Sequence, residues 1–330
     1  MKDIKLISEY TKKPESFEAF ESSGEYKEEI IANGVRQMLL EENFRIIIKA
    51  YKENNIPFIA LKGSYLVSLL YPFGIRATDD IDILIRYSDF KKTDSLMKDM
   101  GYNYTGINMS INLHKKIANK VVYSNPDKIP TIPFDIHFTL GPYPYLGRVK
   151  TKDIWTGTEL CDTPFKNITV LSGELLLIHL LLHSFQDIKE ENVHSYFDII
   201  NYLRKYSSKI DWEKFMGYVI KFRVELPVSY AINEVHKLEM IRFPDDITER
   251  IKKIKSGYLE KKIYNLSLNR KSEYDKYLLQ FLSTPGIIKK MMCIMHILVP
   301  ARKYINVEFG GRYSLYYKKI ISSIFKKTGN

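Results

Sequence analysis

Cysteine is scarce: the 330 residues contain two, Cys161 and Cys293, far apart in the chain. Two distant thiols give no disulfide framework, which excludes the small cystine-stapled secreted domains and suits a reducing compartment. Long apolar runs are missing too. The longest, LLLIHLLLH from Leu175 to His183 and MMCIMHILV from Met291 to Val299, are shorter than the roughly 20 residues needed to span a bilayer, so no transmembrane segment is predicted. The opening MKDIKLISEYTKKPESFEAF carries charges where a secretory leader would be apolar, so no signal peptide is read and a cytoplasmic location is expected. There is no solenoid repeat and no low-complexity tract. Acidic residues are nearly absent from one stretch: Gly286 to Asn330 holds nine lysines and arginines against a single acid, Glu308. Most of the net charge of +11 therefore lies in the last segment. That distribution argues against a generally basic, nucleic-acid-binding body and for a tail that attracts anions.

Apolar residues make up 45% of the chain, enough to build the core of one large or two ordinary domains. Residues 25 to 54 mix charge and apolar side chains at helical spacing without proline, which predicts one or two helices. IPFIAL then reads as a short buried strand, and SYLVSLLY as a helix with Ser64 as its cap, ended by Pro72 and Gly74. DIDILIRY is the clearest strand, with Ile81, Ile83 and Ile85 on one face and Asp80, Asp82 and Leu84 on the other. A helix is predicted over SDFKKTDSLMKDMG, and further strands over YNYTG, KVVYS and IPFDIHFTL. After about residue 150 long amphipathic patterns take over and predict a helical bundle. The expected organisation is N-terminal helices over 1–54, an α+β unit over 55–150, a helical unit over 151–285 and a basic aromatic segment over 286–330.

The chemistry is concentrated in LKGSYLVSLLYPFGIRATDDIDILI, Leu61 to Ile85. Alternation along a strand puts Asp80 and Asp82 on one face, about 7 Å apart by the strand rise. Carboxylates so placed can hold an oxygen-loving divalent cation. Asp135 in FDIHF faces away from Phe134 and Ile136, so a neighbouring strand can bring a third carboxylate to the same place. Such a cluster repels itself without cations. Two Mg²⁺ ions about 3.5–4 Å apart would neutralise it and clamp the attacking and leaving oxygens of an in-line phosphoryl transfer. Upstream, Lys62, Gly63 and Ser64 supply a cation, a tight turn and a hydroxyl before a helix N-terminus, a setting that favours phosphate. Arg76 can bind a triphosphate bidentately.

The order of these pieces resembles the nucleotidyltransferase superfamily of DNA polymerase beta: a strand, a Gly-Ser turn, a helix, then Asp-x-Asp opening a β-branched strand and a third acid further on. IPFIALKGSYL, LLYPFGIRATDDIDILIRYSDF, MGY and FDIHFTL more closely resemble an uncharacterised bacterial nucleotidyltransferase family with an LKG, Arg, DID and DxH signature. The resemblance runs over about residues 35 to 325. Fifteen residues separate Ser64 from Asp80, a longer loop than the broad superfamily pattern has but one that the narrower family shares. The resemblance implies a polymerase-beta-like domain with a mixed sheet and helices, followed by a helical domain. It also implies an enzyme that transfers a nucleoside monophosphate from an NTP to an acceptor, with Mg²⁺ or Mn²⁺ as cofactor. Asp80 and Asp82 match the metal-binding pair, Asp135 the acid that activates the acceptor hydroxyl, and Gly63 and Ser64 the phosphate turn. Lys62, Arg76 and His137 match recurring family positions. Acceptors consistent with this reading are a small molecule, a peptide or a glycan. The alternatives are a toxin-like or defence nucleotidyltransferase that modifies tRNA or other RNA, for which the basic tail is the hint, and a non-catalytic nucleotide-binding protein of the same fold.

Other candidates have plainer readings. His179 and His183 share a helix face at a spacing that can bind zinc, but leucines surround them and no further ligand accompanies them, so packing is the expected role, with His183 able to face the cleft. Asp198 lies among apolar residues and is expected to find an arginine or histidine partner. Asp79 is expected to be a loop residue or a cap. The tail PARKYINVEFGGRYSLYYKKIISSIFKK suits RNA, anionic lipid or a sugar-phosphate, or equally a helix docked on the bundle with its lysines in water.

Overall fold

A computed structural model of the chain describes residues 2–16, 18, 24–106, 120–127, 131–141, 144, 145, 147–186, 194–270 and 272–325. Among these residues seven strands form one sheet: β1 (Phe58–Ala60), β2 (Ile81–Ile85), β3 (Asn103–Tyr104), β4 (Lys120–Ser124), β5 (Phe134–His137), β6 (Thr158–Thr163) and β7 (Lys166–Leu171). Their order is β3-β4-β5-β2-β1-β7-β6. The sheet is mixed, since β2–β5 and β1–β7 are parallel while the other four pairings are antiparallel. β2 and β5 lie at its centre and every residue of both is buried. This is an α+β architecture, as expected.

The hairpin of β6 and β7 corrects one expectation. It falls after residue 150, in the stretch predicted to be helical, and β7 pairs with β1 to extend the sheet. The physical reason is visible in β6: its position at the sheet edge leaves Leu160 exposed and lets polar residues interrupt any clean alternation. Only β7 carries a buried apolar set, in Ile168, Val170 and Leu171.

Helices cover the rest. The N-terminal stretch forms α1 (Lys2–Lys12) and one long α2 (Lys27–Glu53). Between β1 and β2 runs α3 (Gly63–Leu70), and α4 (Phe90–Asp99) follows β2. Gly101, at φ +80°, ends that turn in the left-handed region open to glycine. After a short α5 (Thr151–Thr156) and the hairpin come α6 (Gly173–Gln186), α7 (His194–Tyr206), α8 (Trp212–Phe222) and α9 (Glu225–Lys237). α6 is apolar nearly all round because α7, α8, α9 and β7 all pack on it. Asp187, which ended the predicted helix here, lies outside the described residues. Glu174 in the first turn of α6 accepts from the Asp211 backbone N–H at 3.1 Å and from Lys214 Nζ at 2.7 Å, tying α6 to the start of α8. The chain ends in α10 (Asp245–Lys253), α11 (Tyr258–Asn269), α12 (Glu273–Ser283), α13 (Ile287–Leu298), α14 (Arg302–Phe309) and α15 (Tyr313–Phe325).

The N-terminal and helical parts meet at defined polar contacts. Asn201 on α7 donates to Thr11 Oγ1 on α1 at 3.0 Å, and both residues are buried. Removing core volume from the central strand should therefore weaken the whole fold. Ile83→Ala, at a fully buried position, is expected to lower unfolding free energy by about 2–5 kcal/mol in chemical denaturation. Leu160→Ala, at a position 73% exposed on β6, should change it by less than about 0.5 kcal/mol.

Candidate active site

Register builds the site. β2 and β5 run parallel with Asp82 paired to Asp135 and Leu84 to His137. Paired residues of neighbouring strands project to the same face, and Asp135 and His137 are two apart on one strand. Asp82, Asp135 and His137 therefore converge, and one ligand atom from each lies within 4.8 Å of the others. All three are about 3% exposed. Ile81, Ile83, Phe134 and Ile136 take the opposite face and are buried in the core.

Buried carboxylates need partners, and the structure supplies one imidazole and two ammonium groups. His137 Nε2 lies 2.6 Å from Asp82 Oδ1, and Lys62 Nζ lies 3.6 Å from Asp82 Oδ2. Lys120 Nζ pairs with Asp135 Oδ2. Lys120 comes from β4, whose antiparallel register sets it opposite His137 and sets Val122 opposite Asp135. Burial pushes the Asp82 carboxyl up, but Lys62, His137 and Lys120 outweigh it and hold it well below the usual carboxylate range. Burial pulls the His137 imidazole down, only partly offset by Asp82. For Lys120, burial lowers the ammonium pKa, but Asp135, Asp82 and Asp80 raise it further, so it stays charged.

Asp80 sits one residue ahead of β2, half-buried, and is not in the converging group of three. Its pKa is raised to about 7, by burial first and then by the negative charge of Asp82 and Asp135. It thus shares their field from the rim. Asp79 is exposed in the bend before β2, as a loop residue.

The turn after β1 is fastened to the carboxylate strand. Ser64 Oγ accepts from the Asp82 backbone N–H at 2.7 Å and donates to the Asp82 carbonyl at 3.0 Å. The Leu61 N–H also donates to that carbonyl. Ser64 was expected to cap α3; instead Lys62 occupies the cap position, without a side-chain cap bond, and the hydroxyl is used by β2. Lys62 has φ +38°, which is uncommon for a residue with a side chain and turns the backbone sharply into α3. Gly63 is required by space: a Cβ there would lie 2.2 Å from Thr78 Cγ2.

A cleft of about 400 Å³ opens beside these groups. Lys62, Gly63, Arg76, Asp80 and Asp82 line one side, and Leu180, His183, His194, Ser195 and Asp198 of α6 and α7 line the other. Arg76 Nη2 lies 3.5 Å from Asp198 Oδ2, and Tyr71 Oη donates to Asp198 Oδ1 at 2.7 Å. Asp198 thus has an arginine partner, and its tyrosine joins the α3 end to α7. His183 reaches the cleft wall. His179 is buried behind it, with Nδ1 3.3 Å from the Leu140 carbonyl and its ring 6.5 Å from that of His183. Burial, followed by the charge of Lys62, holds His179 well below its usual range, so it stays neutral.

The family model described as an uncharacterised nucleotidyltransferase matches residues 21–238, about two thirds of the chain. The chain belongs to this nucleotidyltransferase family. The match spans both cleft walls, from Lys62 and Gly63 through Asp80 and Asp82 to Asp198, and includes Asp135 behind them. No curated protein matches the chain in sequence. Among solved structures, the solution structure of the antibiotic-resistance factor ANT(2'')-Ia is 14% identical, with a TM-score of 0.36, over 58% of this chain and 94% of that one. An antigenic nucleotidyltransferase-like protein from Paracoccidioides brasiliensis is 14% identical, with a TM-score of 0.37, over 64% and 96%. ANT(2'')-Ia in complex with adenylyl-2''-tobramycin is 12% identical, with a TM-score of 0.36, over 54% and 93%.

Lys120 is the functional candidate that the sequence did not single out. KVVYS puts it on the polar face of its strand, but only the register with β5 assigns it to Asp135. The packing at Gly63 gives a direct test. Gly63→Ala is expected to cost roughly 1–3 kcal/mol in denaturation. Adding Thr78→Ser, which removes the methyl that the new Cβ would strike, should recover part of that loss.

Proposed function

We propose that this nucleotidyltransferase is a divalent-metal-dependent enzyme. In this reading it moves a nucleoside monophosphate from an NTP onto an acceptor oxygen of a small molecule, peptide or glycan and releases pyrophosphate. The observation that supports it most is the pairing of Asp82 with Asp135 across parallel strands, with His137 alongside and with Asp80 and Asp82 lining a cleft of about 400 Å³. The donor set fits a hard cation. The carboxylate oxygens of Asp82 and Asp135, with Asp80 nearby, suit Mg²⁺ or Mn²⁺ better than a soft metal. In the structure two lysine ammonium groups already balance the carboxylates, which is the charge that such an ion would carry.

Asp80, Asp82 and Asp135 would hold the metal, which when bound would neutralise the phosphate oxygens and the leaving pyrophosphate. Gly63 and Ser64, at the N-terminus of α3, would bind phosphate through backbone N–H groups, and Lys62 would turn from Asp82 to the phosphates. Arg76 would add a second cation at the cleft wall. Asp135 accepts the proton of the acceptor hydroxyl as its oxygen bonds to the α-phosphorus and the bond from that phosphorus to the bridging oxygen breaks. His137, neutral and hydrogen-bonded to Asp82, fixes the orientation of that carboxylate. Catalysis would come chiefly from positioning and charge neutralisation.

The test is incubation of the full chain with each of the four NTPs, Mg²⁺ and candidate acceptors, following pyrophosphate and the mass added to the acceptor. Asp82→Asn and Asp135→Asn, with folding checked by circular dichroism, should each lower the rate roughly 100-fold or more. EDTA should abolish release and added Mn²⁺ or Mg²⁺ restore it. Pyrophosphate release that survives both substitutions would refute the mechanism, and NTP binding without any release would assign nucleotide binding without turnover.

A further inference from the structure

Among the described residues, the last three helices leave an apolar stripe on α13 exposed. On α13, Ile287, Ile288, Met291, Ile294, Met295 and Leu298 recur at the spacing of one helix face. Ile287 is 73% exposed, Ile288 70% and Leu298 55%. The opposite side of the same helix is the packed one: Cys293 is buried, and its thiol lies 3.5 Å from Thr284 Oγ1. The helix is therefore seated on its neighbours by one face while it presents the more apolar face outward. Tyr316 and Tyr317 of α15 fasten its end, donating to the carbonyls of Ile297 at 2.8 Å and Leu298 at 2.5 Å. Lys318 and Lys319 follow directly in the chain and are exposed.

We propose that this C-terminal face docks the protein onto a bilayer surface that carries anionic lipids, with the α13 stripe entering the headgroup and acyl boundary. Charge and side-chain type together select this occupant. The segment holds nine cations and one acid, so it attracts an anionic surface. A second copy of the chain would bring the same positive charge to the contact and be repelled. RNA is a poorer fit, because the stripe is aliphatic, whereas single-stranded nucleic acid stacks on aromatic platforms. Isoleucine, methionine and leucine insert into acyl chains readily, and a helix with such a stripe in a basic segment lies in the membrane interface. No described helix is long and apolar enough to cross a membrane, so the attachment is peripheral.

The experiment is co-sedimentation of the full chain with vesicles of phosphatidylcholine containing phosphatidylglycerol and with vesicles of phosphatidylcholine alone. Binding should be at least about tenfold stronger on the anionic vesicles, since each cation held near such a surface strengthens binding about fivefold. Ile288→Glu combined with Met295→Glu should weaken it at least about tenfold, and Lys318→Gln combined with Lys319→Gln by a similar factor. Both pairs are exposed, so melting curves and pyrophosphate release should match the parent chain. Equal association with both vesicle types, no association with either, or undiminished binding by both variants would overturn the proposal. So would two other outcomes in the absence of lipid: a concentration-dependent dimer, or binding of a single-stranded RNA, that Ile288→Glu with Met295→Glu abolishes.

Discussion

The pairing of Asp82 with Asp135 across two buried parallel strands sets the terms for the rest of the molecule. Two carboxylates side by side in a sheet interior repel each other and lose their hydration, a combination that is stable only with compensating cations close by. The chain places two such cations, Lys62 from the turn after β1 and Lys120 from β4, and adds a hydrogen-bonding imidazole, His137, from β5 itself. A sheet that carried such a pair without them would be weakened at its centre. The lysines are thus structural in this state, and phosphate or metal would have to take over their charge-balancing role for either to be released.

The same constraint explains why the backbone around the site is so closely tied. Ser64 accepts from the N–H and donates to the carbonyl of Asp82, so the turn and the carboxylate strand move as one unit. Thr78 closes over Gly63 so tightly that no side chain fits there. Across the cleft, Asp198 receives both Tyr71 and Arg76, which fixes the loop leading to Asp80 against α7. Both cleft walls are held by polar contacts between segments far apart in sequence, and such networks favour a single arrangement when each member is satisfied.

Much of this could be read from the sequence, and the parts that could not share a cause. Period-two alternation in DIDILI and FDIHF identified β2 and β5 and the faces of their acids, because side-chain direction in a strand is local information. Register is not local. Lys120 could be placed on the polar face of KVVYS, but nothing in that stretch says that it meets His137 and Asp135. The α+β class and the metal-capable acids were legible for the first reason, and the ion pairs within the site were hidden for the second. Ser64 was assigned to the helix it precedes, as its residue type favours, but a partner eighteen positions later claims its hydroxyl. The hairpin over β6 and β7 escaped notice because an edge strand shows too little buried surface to impose alternation.

The charge inventory of the cleft bears on what can enter it. Asp79, Asp80, Asp82 and Asp198 line it against Arg36, Lys62 and Arg76. Two of those three cations already face carboxylates, Lys62 at Asp82 and Arg76 at Asp198. A triphosphate entering by itself would meet as much negative as positive charge in a partly desolvated space, which is unfavourable. Cations carried in with a nucleotide, as proposed, would reverse that balance, because they would attract the carboxylates and the phosphates together. In the proposed reaction the acids that would repel a bare anion are therefore the groups that would favour a metal-bound one, and the chain's remaining positive charge, concentrated after Gly286, is left to act elsewhere on the surface.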